Sequence, residues 1–338
     1  MIHSIKIEKL RGIRKGELSD LSPLVVLLGP NGCGKSTILD ALLIGAGNDT
    51  ENALGRAIGR KRSAVVGGRW LVWKTGAEGS AGIVVGLSEP GGESNAIETT
   101  IKVRRATGKA HTLEFEKRVL DSSGAKVEET RNARRYGRAE EAYSGSVLER
   151  AVRHVRLVET WSGAGQPPLY QVFTEAAEQG RKQQAVGLVQ KLMPGLETVE
   201  ILTDTDDEPY LALTHPQGSI PADLAGDGVH ALVRLAFDLA TNPGGLALLE
   251  EPEVHQHPAA IRLTARTIAA AVQRGVQVVL STHSLEMLDA LRDLAGQEGL
   301  LDDLSLYRMR LEDGELSSSR LSGREVAMAR DEIEEDLR

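Results

Sequence analysis

Gly29-Pro30-Asn31-Gly32-Cys33-Gly34-Lys35-Ser36-Thr37 follows directly on the apolar run Leu24-Val25-Val26-Leu27-Leu28 and leads into Ile38-Leu39-Asp40-Ala41-Leu42-Leu43-Ile44. An unbroken apolar run of this length reads as a strand buried on both faces, and the segment from Ser36 onward has helical periodicity. The order is therefore strand, glycine-rich turn, helix, which is the setting a phosphate-binding loop needs. The turn fits GxxxxGK[ST] in full. Its glycines let successive backbone N–H groups point inward around phosphates, Lys35 adds a point charge at the β and γ positions, and Ser36 can ligate Mg²⁺. Asn31, Gly32, Cys33, Gly34, Lys35, Ser36 and Thr37 are the candidate nucleotide contacts, with ATP and Mg²⁺ as the implied cofactors.

Working outward, Leu246-Ala247-Leu248-Leu249 runs into Glu250-Glu251-Pro252-Glu253. This places two carboxylates at the C-terminal end of a core strand, where open α/β sheets bind their ligands. Glu250 there can hold a Mg²⁺ water, and Glu251 can polarise the attacking water of phosphoryl transfer. A further short strand, Gln277 to Leu280, ends in Ser281-Thr282-His283-Ser284, so His283 can reach a γ-phosphate as a donor. Leu224-Ala225-Gly226-Asp227-Gly228 is a second glycine turn before a helix, whose N-terminus offers free amides and a positive dipole end.

Strands and helices alternate from Asp227 onward, with helices from Val229 to Ala240 and from about Pro258 to Gln273, which implies a parallel sheet with helices on its faces. Between the two ends, Gly82 to Leu87, Ile97 to Arg104 and His111 to Val119 alternate like antiparallel strands. Residues 128–154 are charged and expected to be helical, the segment from Leu169 to Leu192 has helical periodicity, and VEILTD and YLALT are strand-like. The expectation is an α/β fold with a mixed or parallel core sheet, an antiparallel β subdomain and an inserted helical lobe. It forms one domain over 1–338, divided at 1–60, 61–127, 128–200 and 201–338.

The composition of the 338 residues, 41% hydrophobic and 26% charged, is globular. With a net charge of −8, DNA contact requires a local patch, for which Arg56, Arg60, Lys61 and Arg62, or Arg131, Arg134, Arg135 and Arg138, are the candidates. The single cysteine, Cys33, excludes an intramolecular disulfide, and no stretch approaches ~18 apolar residues. A cytoplasmic protein with no membrane partner is expected. Trp70 and Trp73 read as packing residues, and the closing REVAMARDEIEEDLR as a solvent-facing helix.

Taken together, IHSIKIEKLRGIRKGELSDLSPLVVLLGPNGCGKSTILDAL, LALLEEPEVHQHP and VVLSTHSLEMLDAL resemble the ABC-type ATPases of the RecF/SMC branch, and within it the OLD-like ATP-binding proteins of defence systems. The resemblance is densest over residues 1–45 and 215–310. It implies an ABC-type P-loop NTPase head that forms a homodimer. ATP on one subunit is then covered by the loop Leu224 to Gly228 of the other, through Gly226, Asp227 and Gly228. It also implies that Arg11 contacts nucleotide, that Glu251 is the general base, and that a separate nuclease or toxin is the effector.

Three departures from the family pattern stand out. Ala225 takes the place of the signature serine, removing a hydroxyl contact to γ-phosphate. Glu250 stands where many relatives have Asp, and the Q-loop glutamine is either Gln166 or Gln171. OLD nucleases carry a C-terminal Toprim domain, whereas 55 residues follow His283, too few for one.

Overall fold

The three apolar runs become neighbouring parallel strands toward one end of a large sheet. A computed structural model describes residues 1–59, 68–73, 78–88, 94–105, 111–136, 141–143, 154–159, 166–242, 244–331, 336 and 337. Strands β1 (Ile2–Leu10), β2 (Ile13–Ser19) and β3 (Leu24–Leu28) are followed by helices α1 (Lys35–Ala46) and α2 (Thr50–Gly59). An antiparallel ribbon comes next: β4 (Gly79–Ser88), β5 (Ser94–Arg105), β6 (His111–Leu120), β7 (Lys126–Tyr136) and β8 (Glu141–Tyr143). β9 (Val155–Glu159) leads to helices α3 (Leu169–Glu178) and α4 (Lys182–Leu192). A small antiparallel sheet follows, made of β10 (Thr198–Thr203), β11 (Pro209–His215) and β12 (Gly218–Pro221). The last third alternates as α5 (Asp227–Ala240), β13 (Leu246–Glu250), α6 (Pro258–Gln273), β14 (Gln277–Thr282) and α7 (Leu285–Glu298). It closes with β15 (Leu304–Glu312), β16 (Glu315–Ser322) and α8 (Gly323–Asp331).

The large sheet has the order β8-β7-β6-β5-β4-β1-β2-β16-β15-β3-β14-β13-β9. Its segment β15-β3-β14-β13-β9 is parallel, and the run from β8 to β2 is antiparallel. Helix α1 touches both halves, packing on β9, β13 and β14 and on β1, β4 and β5. That position explains its composition: Ile38 through Ala46 are all buried, and a helix apolar on every side has no face left for water. Side chains of Ile38, Leu39 and Leu42 share one core with Ile83, Ile97, Phe115 and Val119 from the ribbon. The opposite sheet face, with Leu24, Val26, Leu28, Leu249 and Leu280, packs on α6 and α7. A third core joins α3, α4 and α5 to β10 and β11, with the Phe173 and Phe237 rings 5.4 Å apart.

The helix expected over 128–154 is replaced, where the chain is described, by β7 and β8. Its alternating charges serve a different purpose: Arg131 lies opposite Glu116 and Glu129 opposite Arg118, and both pairs form ion bridges across the strands. The periodic segment Leu169 to Leu192 is two helices, because Gly180 takes a left-handed φ of 69° between them. The closing helix is not purely solvent-facing, since Val326 and Ala329 of α8 are buried against the second core.

Candidate nucleotide site

Parallel pairing aligns the ends of three strands. Leu28 of β3 lies beside Thr282 of β14, and Ser281 lies beside Glu250 of β13, so the glycine loop, the acidic pair and His283 share one sheet edge. The loop demands its glycines for two reasons. Gly32 and Gly34 have φ of 80° and 96°, and a Cβ on Gly29 would sit 2.6 Å from the carbonyl oxygen of Met309. Gly34 stands at the N-cap of α1, leaving the first amides of that helix open toward the loop.

Lys35 is 6% exposed, and its ammonium is folded into the loop. It donates to the carbonyl of Gly29 at 2.7 Å and to that of Pro30 at 3.1 Å, and lies 3.4 Å from Nδ1 of His283. Burial pulls its pKa below that of an ordinary lysine, with the nearby Cys33 and Glu251 acting the other way. Phosphate oxygens would be stronger partners than these neutral carbonyls. The Ser36 hydroxyl donates to Oε1 of Glu250. One hydroxyl and one carboxylate side by side are hard oxygen donors, the small protein set that Mg²⁺ takes when phosphates and water complete its shell. Among the described residues no cluster of three His, Cys, Asp or Glu forms a separate metal cage.

Glu251 sits just past β13 with a left-handed φ of 45°, held by its amide bond to the carbonyl of Ser281 at 3.0 Å. This strained backbone aims its carboxylate to within 3.2 Å of Nε2 of His283. Desolvation first, and the Lys35 charge second, lower the pKa of His283. The neutral ring then accepts from Lys35 at Nδ1 and donates from Nε2 to Glu251, so Lys35, His283 and Glu251 form one chain. The sign of the pH effect follows. With its folded pKa below 6.5, His283 gives stability that is fully present above pH 6.5 and is lost as pH falls from there through the lower folded pKa. We expect the thermal midpoint to fall on the acid side of neutrality more steeply in wild type than in His283→Gln. Parallel curves would show that His283 is not held neutral.

Two residues that sequence reasoning passed over complete this edge. Thr282 donates to Glu253, whose carboxyl is pushed up by burial, and the other Glu253 oxygen finds no hydrogen-bond partner among the described residues. The spacing of Glu253 after Glu250 and Glu251 is the signal that could have found it.

Arg11, with φ 48°, pairs with the fully buried Asp40 at 3.0 Å and donates to the carbonyl of Ala57. Asp40 lies one helical turn after Ser36, so Arg11 is anchored to the helix that carries the loop. Gln166 stands in the segment after β9, the strand that pairs with β13, and donates to the carbonyl of Glu159 at 3.4 Å; Gln171 lies on the exposed side of α3.

Gly226 has φ 90° and opens α5, while a Cβ on Gly228 would meet the carbonyl oxygen of His255 at 2.8 Å. Among the described residues no hydrogen bond or ion pair joins Gly226, Asp227 or Gly228 to the phosphate loop of the same chain. Leu224 at the tip is 76% exposed. Farther along α5, Arg234 is almost buried, pairs with Asp238 at 3.2 Å and donates to the carbonyl of Pro167 at 2.7 Å. The glycine-turn helix thus grips the backbone next to Gln166. Burial pushes the Asp238 carboxyl up, and the charges of Arg234, Arg156 and Arg56 counter it. Arg234→Met should cost about 3–5 kcal/mol of unfolding free energy in denaturant, the usual result of leaving one buried partner uncompensated. A loss within error of zero would mean that Asp238 is neutral.

Each basic cluster has one described side chain, and that one is engaged within the chain. Arg56 is largely buried and donates to the carbonyl of Leu157 at 2.6 Å, and Arg131 is engaged by Glu116 and Glu129. Arg134 and Arg135 belong to β7, while Arg60, Lys61, Arg62 and Arg138 lie outside the described residues. Trp73 packs at Gly314, as expected of a packing residue, but Trp70 is 58% exposed.

Residues 24–289 match a family model described as "AAA domain, putative AbiEii toxin, Type IV TA system". "Uncharacterized protein MJECL11" of Methanocaldococcus jannaschii is 32% identical over 114 residues, 33% of this chain and 98% of that protein. Among solved structures, an SMC head bound to the C-terminal winged-helix domain of ScpA superposes with a TM-score of 0.57 at 14% identity, over 95% of this chain and 98% of that one. The Pyrococcus furiosus SMC head with an extended coiled coil, bound to the C-terminal domain of ScpA, gives 0.52 at 12% identity, over 99% of each chain. At these identities the structural likeness establishes the fold alone, that of an SMC head.

Proposed function

The chain belongs to the AAA_21 family, and from that premise we propose that it is a Mg²⁺-dependent ATPase whose heads pair around ATP and whose open and closed states control a separate effector. The observation that carries this reading is the single sheet edge at which Ser36 meets Glu250 while Lys35, His283 and Glu251 form a chain. Triphosphate entering the loop takes the Lys35 ammonium away from the Gly29 and Pro30 carbonyls. Bound between Ser36 and Glu250, Mg²⁺ would neutralise charge on the β and γ oxygens. Glu251 orients the attacking water and takes its proton, and the Nε2–H of His283 turns from Glu251 to donate to the γ-phosphate.

Head pairing is supported by the exposed Leu224 tip and the open amides at the start of α5, which among the described residues make no hydrogen bond to the phosphate loop of their own chain. Gly226, Asp227 and Gly228 would close over the partner's nucleotide with amides alone, since Ala225 brings no hydroxyl, so slow turnover is expected. The family description names a toxin of a type IV toxin–antitoxin system, which agrees with a toxin among the candidate effectors. The ATP-linked closure is the part of a RecF/SMC-like DNA clamp this chain would retain. A cytoplasmic location agrees with the lack, among the described residues, of any helix long and apolar enough to cross a membrane. A second reading, a non-hydrolysing module that uses ATP as a structural bridge, is favoured by Ala225. Light scattering of wild type with Mg²⁺ and a slowly cleaved ATP analogue tests head pairing. The mass should double, and an unchanged mass at saturating nucleotide rejects it.

A further inference from the structure

On β6, between the core residues Phe115 and Val119 of the same sheet face, stands Lys117, with no exposure to solvent. Its ammonium crosses to the far end of α1. It donates to the carbonyl of Ile44 at 2.9 Å, to that of Gly47, which ends the helix, and to the hydroxyl of Thr50 at 3.1 Å, where α2 begins. An ammonium has three donors, and all three are used at this junction. The carbonyls it meets are those a helix C-terminus leaves unpaired, at the negative end of the helix dipole.

The choice of partners is informative. Thr99 and Thr130 lie directly beside Lys117 in the sheet register, and both hydroxyls are buried without a hydrogen-bond partner among the described residues, yet the ammonium turns to the helix end. Burying a charge here is unfavourable; desolvation draws the lysine down to about 7, with Asp49 acting the other way. An apolar side chain would fill this core more cheaply. The opposite end of α1 carries Lys35 and Ser36, and 12 helical residues at about 1.5 Å each form a stiff rod of about 18 Å.

We propose that Lys117 is a positioning residue of the nucleotide site: a cation on the antiparallel half of the sheet that pins the far end of the phosphate-loop helix and couples loop occupancy to the ribbon. The proposal rests on the ATP-site reading above.

Two measurements test it. In nucleotide-free Lys117→Met, which keeps the unbranched stem as far as Cε and removes the donors, hydrogen exchange over residues 43–50 should be about tenfold faster or more, with β3 and β14 unaffected. The same variant should bind MgADP about tenfold more weakly or turn over MgATP about tenfold more slowly. Unchanged exchange overturns the pin, and faster exchange with unchanged affinity and turnover reduces Lys117 to a structural residue, which overturns the positioning role.

Should the variant fail to fold, ¹³C-lysine NMR of wild type carries the test. The side-chain signal of Lys117, assigned through its proximity to Ile44 and Thr50, should shift when MgADP is added, and a fixed signal at saturating MgADP overturns the coupling. Absence of MgADP binding to wild type would instead refute the ATP-site reading, a result the exchange measurement does not depend on.

Discussion

Glu251→Gln is expected to leave MgATP bound and to slow its cleavage by about 10²–10⁴-fold, the span that loss of a positioned general base produces. The substitution changes one atom at the end of the side chain. A glutamine oxygen can still accept from Nε2 of His283, where the carboxylate now stands 3.2 Å away, and the left-handed backbone at φ 45° is undisturbed. Geometry is retained while basicity is lost, so kcat should fall with KM little changed. Trapped nucleotide should then accumulate in the variant and lengthen the life of the closed pair. A non-hydrolysing module makes the opposite forecast, with wild type and variant indistinguishable in nucleotide occupancy, assembly and the absence of phosphate release.

Lys35→Ala should abolish measurable turnover and weaken MgATP binding by about 2–5 kcal/mol, roughly 30- to several-thousand-fold, as when one member of a buried charge pair is truncated. A control is built into the structure. Burial already lowers the pKa of Lys35, so its charge is disfavoured in the nucleotide-free fold, and its partners there are the neutral carbonyls of Gly29 and Pro30. The unliganded variant should therefore unfold no earlier than wild type. A large drop in the unliganded thermal midpoint would mean that the lysine holds the loop together, and loss of turnover could no longer be ascribed to phosphate binding.

Much of this site was legible because its signals are local. Strand, glycine turn and helix are contiguous from Leu24 to Ala46, and the acidic pair and His283 each follow an unbroken apolar run. What failed to show depends on distant segments. The half of the ion ladder on β7, Glu129 and Arg131, looked helical because its pairing with Arg118 and Glu116 across the strands cannot be seen along one chain. The clamp of Arg11 on Asp40, the grip of Arg234 on the Pro167 carbonyl and the reach of Lys117 to Ile44 join residues 29, 67 and 73 positions apart. The β15–β16 hairpin did carry a local sign. Asp313 and Gly314 take φ of 48° and 82°, as a two-residue primed turn requires, and alternating residues flank them. The serine-rich second strand, mostly exposed, hid the alternation.

The account stands on a triphosphate gripped at the start of α1 by loop amides and the Lys35 ammonium. Calorimetric titration of wild-type protein with a slowly cleaved ATP analogue, with and without Mg²⁺ and beside AMP, addresses this most directly. Saturable binding of one nucleotide per chain, strengthened by Mg²⁺ and far weaker for AMP, which has no β or γ phosphate, is the predicted result. No saturable binding, or AMP binding as tightly as the triphosphate, would contradict it.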